Sequence, residues 1–265
     1  MPELRAFNSV IALVTVDGRE EFVDASHALG AVGVLPIRDL NGLGMSTRNG
    51  SYKFLDLQEG AAAKNAIQAQ LKLGDDGYLA GDVKYVLKGL ASASRVRREG
   101  GRYVIETADL PFSSNFEVAN VEVKRLKGCD FEVGCTVRSK EPASDLGGAL
   151  AFSPVVGNFH GENPFVRETR AYPVEFPCRL IESRNVVIEF PDGMVPESLP
   201  EPMVMMTPDK QAQYRYTLTA EGNAVRLATL LAVKKLTYLP DVYHEVRAVF
   251  AAAEEKETEL LSLSN

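Results

Sequence analysis

The side chains here that could do covalent or acid–base chemistry are three cysteines, three histidines, and small clusters of carboxylates and arginines. A nucleophilic thiol needs a base within hydrogen-bond reach and a third group to orient that base, and a helix N-terminus helps to form the thiolate. Cys129, Cys135 and Cys178 fall instead inside or beside alternating, strand-like stretches. If residues 129 to 135 form one strand, the two sulfurs lie on one face about 20 Å apart, too far to bridge without a bend. All three read as small buried or half-buried thiols. His27, His160 and His244 are scattered, so the four close ligands of a zinc site are not assembled, and neither a metal nor another cofactor is expected. Asp75-Asp76 reads as a turn former at a hairpin tip, and Arg95, Arg97 and Arg98 as a solvated basic patch. Gly42 and Gly44 occupy an LNGLG turn with no helical run behind them, and no Gly-Lys-Ser/Thr occurs, which argues against a nucleotide site.

The elements that must position these groups are mostly strands. Ser9 to Val16 is β-rich, Asp17-Gly18 signals a turn, and Glu20 to Asp24 runs back, which predicts a hairpin. Ala25 to Gly50 is glycine-rich and irregular, with a turn over Leu40 to Gly44, and strand character returns over Ser51 to Leu57. Ile67, Ala69, Leu71 and Leu73 alternate with polar residues, Asp75-Asp76-Gly77 turns, and Tyr78 to Leu87 returns as a long ribbon with one buried face. Leu90 to Arg98 reads as a short helix. Tyr103 to Thr107, Phe116 to Leu126 and Phe131 to Arg138 alternate as strands, and Glu141 to Gly148 reads as a loop. A second series begins near Arg170 and continues through Arg184 to Phe190, Met203 to Thr207, Tyr214 to Thr219 and Val225 to Leu236. After Pro240, the residues Val242, Tyr243, Val246, Val249, Phe250 and Ala253 make an apolar stripe at helical spacing that ends near Glu257. Strands in runs with one terminal helix predict a mainly β fold, an antiparallel β-sandwich carrying a C-terminal helix.

The 265 residues are 45% apolar and 25% charged, ordinary globular values with length enough for a substantial core. The formal net charge of −7 has the wrong sign for a phosphate-backbone binder, so nucleic acid is not expected as a partner. No run of 18 apolar residues predicts a membrane span, and the start Met1-Pro2-Glu3-Leu4-Arg5 lacks the apolar region of a signal peptide.

Two stretches resemble a known family. Phe7-Asn8-Ser9-Val10-Ile11-Ala12, Val16-Asp17-Gly18 and Phe22-Val23-Asp24-Ala25-Ser26 together resemble the His-to-Asp hairpin of the transglutaminase-like cysteine protease fold. The likeness is to the large bacterial members typical of Bacteroidetes. Gly33-Val34-Leu35-Pro36 and Leu40-Asn41-Gly42 resemble the segment that follows that hairpin. Asn163-Pro164-Phe165, Tyr172 to Phe176, Ile188 to Gly193, Glu197 to Pro200 and the last helix resemble the trailing β-domain of unknown function in those proteins.

The resemblance implies a division into residues 1–60, a remnant of the transglutaminase-like core, and 61–265, the β-sandwich with its helix, with a subdivision near 140–170. It also implies that Asp24 stands where the orienting acid of a triad stands. Ser9 occupies the family's histidine position, and a hydroxyl cannot serve there as an imidazole base does at neutral pH. The cysteine-bearing half-domain lies upstream in the family and is expected to be missing here. The expected function is therefore a non-catalytic scaffold or interaction module, with a protein partner or a second copy of the chain as its target. One alternative is a cysteine peptidase, amidase or acyl transferase completed in trans by a separate Cys-bearing chain. Another is a carbohydrate-binding sandwich using Tyr78, Tyr85, Tyr214 and Tyr216, although no Trp is present to stack on a sugar. By resemblance the location would be the periplasm or cell envelope.

Overall fold

Asp17 and Gly18 both hold positive φ, 50° and 79°, the backbone a two-residue type I′ turn demands. They join β1 (Ala12–Val16) to β2 (Arg19–Val23) as the first hairpin. A second ribbon pairs β3 (Leu43–Arg48) with β4 (Ser51–Asp56), so a strand begins where the sequence reads as the end of a turn. The computed structural model describes residues 9–26, 32–40, 42–48, 51–58, 60–159 and 163–264.

The long ribbon expected from period-two alternation is β5 (Ala62–Leu73) and β6 (Leu79–Gly89). Its turn is built as the sequence indicates: Gly77 takes a φ of 80°, and Asp76 Oδ1 accepts from the Tyr78 amide at 3.2 Å. Only α1 (Leu90–Ala93) of the expected Leu90–Arg98 helix forms. Val96 turns instead into β7 (Val96–Glu99), which returns through Gly100-Gly101, at φ 55° and 82°, as β8 (Arg102–Ile105). The strands β9 (Phe116–Arg125) and β10 (Phe131–Ser139) follow. Short pieces β11 (Ser144–Asp145), β12 (Ala149–Phe152) and β13 (Val174–Glu175) lead into β14 (Arg179–Glu189). Then come β15 (Val195–Ser198), β16 (Met203–Met206), and the hairpin of β17 (Ala212–Glu221) and β18 (Ala224–Val233). The chain ends with β19 (Thr237–Tyr238), α2 (Tyr243–Thr258) and β20 (Leu261–Ser264).

Eight of these strands form one sheet in the order β16-β17-β18-β14-β5-β6-β10-β9, and a four-stranded sheet runs β11-β12-β20-β15. The fold is thus mainly β and sandwich-like with one substantial helix at its C-terminal end, as the sequence predicts. One pairing departs from the antiparallel expectation: β14 lies parallel to β5 from Arg179↔Ala62 to Glu189↔Lys72. More than a hundred residues separate these strands, and local periodicity carries no information about the direction in which two distant strands meet.

The six inner strands of the large sheet send alternate residues inward. Ile67, Tyr85, Val133, Val186, Tyr214 and Leu227 meet Val246, Val249 and Phe250 of α2, and Leu261 and Leu263 of β20, in one continuous core. A smaller cluster of Leu35, Leu40, Leu57, Leu90 and Cys178, flanked by Ile11, Phe22 and Ala63, seats the N-terminal ribbons where β5 begins and β6 ends. Ile11, just ahead of β1, and Phe22 of β2 are the residues of the first hairpin region that pack on this cluster. Among the described residues no helix is long and apolar enough to cross a membrane.

Candidate functional site

Asp24 follows β2 directly and is buried, with 4% of its surface exposed. Its Oδ1 accepts from the Ser26 amide at 2.9 Å and the Ser26 hydroxyl at 2.7 Å, closing a small turn of the kind aspartates favour. Its Oδ2 accepts from Arg38 Nη2 at 2.7 Å, and the same nitrogen donates to Ser26 Oγ at 2.8 Å. Ser9 is exposed, three residues ahead of β1, and no hydrogen bond joins it to Asp24. What Asp24 orients in this chain is a guanidinium.

The hydrogen bonds from Ser26, then the Arg38 charge, hold the Asp24 carboxyl below its ordinary value of 3.8. A depressed carboxyl stabilises the folded state at pH above the unfolded value, and that contribution disappears as the pH falls through the lower folded value. The turn should therefore loosen only below about pH 4. In an Asp24→Asn variant the difference in stability from the parent should shrink as the pH falls from 6 to 3; a difference constant over that range would contradict the assignment.

All three cysteines are buried, and none is in a disulfide. Burial, with the neighbouring Asp82 charge, pushes the Cys135 thiol up to about 11, and burial also raises Cys178. Neither is poised as a nucleophile. Alkylation at pH 7 should be slow in the native chain and should proceed at all three sites in denaturant; rapid labelling of a single cysteine in the native chain would overturn this. His244 stands exposed on α2, 3.2 Å from Glu245, while His27 and His160 lie outside the described residues. Among the described residues no group of three or more His, Cys, Asp and Glu side chains is arranged to hold a metal.

Polar chemistry is concentrated where the sequence did not point. Arg95, expected in a solvated patch with Arg97 and Arg98, turns inward, and its Nη1 donates to Tyr85 Oη at 2.9 Å and Asn65 Oδ1 at 3.2 Å. Its position directly after α1 aims it over β5 and β6, away from its two neighbours. Tyr85 donates to Asn65 Oδ1 at 2.8 Å, and Asn65 Nδ2 donates to Glu182 Oε1 at 3.2 Å. One step along β14, Arg184 is held by Glu257 of α2 through two bonds, 2.7 and 3.1 Å, by the Gly157 carbonyl at 3.1 Å, and by the face of Phe159 at 4.4 Å. These groups lock the helix and the loop before His160 onto the sheet. The tyrosines considered for sugar stacking are corrected here as well: Tyr85, Tyr214 and Tyr216 are core residues at most 1% exposed, and Tyr78 is covered by the Arg138 guanidinium at 4.1 Å.

The accessible polar site is on the opposite face of the large sheet. Strand register places Asn185, Gln68, Lys84, Gly134 and Glu122 in one row across β14, β5, β6, β10 and β9. The next row reads Val187, Gln70, Asp82, Thr136 and Ala119. Opposite Cys135 the register slips, and Asn120 takes a φ of 54°; this bulge brings its Nδ2 to Thr136 Oγ1 at 3.0 Å. The two rows border a depression of about 610 Å³. An added Cβ at Gly134 would meet nothing within 4 Å, so this glycine leaves its floor open.

Residues 148–263, which contain β12, β14, β17, β18, α2 and most of β20, match a family described as a domain of unknown function with solved structure, DUF3858. A search of curated proteins finds no match. A crystal structure from Parabacteroides distasonis ATCC 8503, described there as a "putative protease", is similar at a TM-score of 0.39 and 17% identity, over 45% of this chain and 24% of that one. This chain's likeness thus spans about a quarter of that protein's length.

Proposed function

We propose that the chain is a non-catalytic β-rich interaction module with a distant relationship to transglutaminase-like proteins. The observation that carries this reading is the outer face of the eight-stranded sheet, where five neighbouring strands present polar side chains around a depression. An antiparallel-rich sheet can leave one face to solvent without cost, but a concave stretch rich in carboxamides is a surface suited to holding something. Two features of the candidate catalytic groups agree with it: Asp24 is committed to Arg38 and Ser26, and the thiols are buried with raised pKa values. The relationship to transglutaminase-like proteins rests on the order of short matches around Ser9, Asp24, Leu35-Pro36 and Leu40-Asn41-Gly42.

The test is acyl transfer by the full chain on a glutamine-containing peptide with a primary amine as acceptor, following ammonia release. No turnover above that of a variant with all three cysteines replaced by serine is expected. Turnover that requires one of Cys129, Cys135 or Cys178 would overturn the reading.

A further inference from the structure

We infer that the depression on the outer sheet face binds a neutral oligosaccharide lying across the strands, an inference that rests on the interaction-module reading and names its ligand class. The site offers an unusual set of unspent groups. Among the described residues, the side chains of Gln68, Gln70 and Asn185 have no hydrogen-bond partner, although all three border the depression. Each carboxamide carries two donors and an acceptor with two lone pairs. Thr136 and Asn120 add a hydroxyl and a fourth carboxamide, already paired with each other at 3.0 Å and so held in place. A ligand that matches this array must itself donate and accept at short intervals along its length, which is what the hydroxyls of a sugar chain do.

Charge and topology exclude the other ligand classes. Asp82 and Glu122 against Lys84 leave the rim with one net negative charge, unfavourable for phosphorylated or uronic chains. A polypeptide is best recognised at a sheet edge, where free N–H and C=O groups extend the ladder. Here β14, β5, β6 and β10 lie inside the sheet with their backbone groups consumed by pairing on both sides, and of the five strands β9 alone lies at the end of the sheet. The two rows cross five strands, about 19 Å at the usual strand spacing, which suits an extended chain better than a monosaccharide. Gly134 gives that chain its closest approach, since anything larger than hydrogen would stand up into the depression. No aromatic ring lines the site, so stacking does not contribute and the affinity should be modest.

The experiment titrates the full chain with a panel of neutral hexasaccharides (gluco-, manno-, xylo- and arabino-configured) and with charged and peptide controls, read by amide chemical shifts and calorimetry. At least one neutral member should bind with Kd about 1 mM and shift amides of β5, β6 and β10. Gly134→Leu should weaken that binding at least about tenfold, as should the Gln70→Ala, Asn185→Ala double variant, with thermal melting unchanged. Arg215→Ala, on the exposed side of β17 three strands beyond β5 and outside the lining of the depression, serves as a control and should bind normally. The inference is overturned if no neutral member binds, if binding survives both variants, or if only charged glycans, peptides or a second copy of the chain occupy the face. Failure of this kind leaves the module reading standing, whereas cysteine-dependent turnover would remove that reading without touching the sugar titration.

Discussion

Replacing Glu257 with alanine should destabilise the chain by about 3–5 kcal/mol, the range for breaking a buried ion pair by deleting one partner. The Arg184 side chain is 2% exposed, and besides Glu257 its guanidinium meets the Gly157 carbonyl, the Thr229 hydroxyl and the Phe159 ring. Without the carboxylate these neutral groups must hold a full positive charge in the core, and water cannot reach it without opening the contact between α2 and the sheet. The bulk of the loss is thus the cost of stranding the charge, which a second variant separates from loss of the pair as such. Arg184→Met combined with Glu257→Leu should recover most of the stability, because an apolar pair of similar volume is often as good as a buried ion pair or better. Denaturant unfolding of the parent, the single variant and the double variant decides it. A single-variant cost under about 1 kcal/mol would mean that the pair behaves like a surface salt bridge.

Arg184 also shows what the sequence made legible and what it hid. Strand parity was readable: in β5 the alternation of Ile67, Ala69, Leu71 and Leu73 with polar residues names the buried face correctly. The same parity puts Glu182 and Arg184 on one face with Val186, Ile188 and Phe190, and Asn65 on one face with Ile67. Read strictly, it signals that these polar residues go inside. Charge alone suggests solvent, and only tertiary structure reveals that Glu257, the fifteenth residue of α2, supplies the partner of Arg184. Arg95 was misassigned for the related reason that its cluster in sequence, with Arg97 and Arg98, is not a cluster in space.

The outer-face site was illegible for a different reason. Its members come from five strands spread between residues 68 and 187, and no two strands' contributions are recognisable until register is known. Gly134 in particular looks like an ordinary strand glycine, and its open surroundings appear only in the assembled sheet. Asp24, by contrast, is singled out by the family resemblance, and the structure gives it contacts with Ser26 and Arg38.

Phe250→Ala should cost about 3–5 kcal/mol, the usual range for truncating a buried aromatic side chain. The ring is 4% exposed, meets Phe165 edge-on at 5.0 Å, and stacks on Phe176 at 6.3 Å. Phe165 in turn touches Tyr243, and Phe176 touches Tyr238, so one truncation unseats rings from α2, β19 and the two connecting segments. A helix gains most of its stability from its packed face rather than from intrinsic propensity, and α2 has no side-chain cap at its N-terminus to compensate. β20 follows α2 directly and pairs with both β12 and β15, so it is one of the two inner strands of the small sheet. Loosening the helix should therefore propagate to that sheet. Hydrogen exchange at Leu261 and Leu263 should accelerate together with the amides of α2, while β5, β6 and β10 keep their protection. If the cost stays below about 1.5 kcal/mol, or β20 retains native exchange while α2 opens, helix and small sheet are not one cooperative unit.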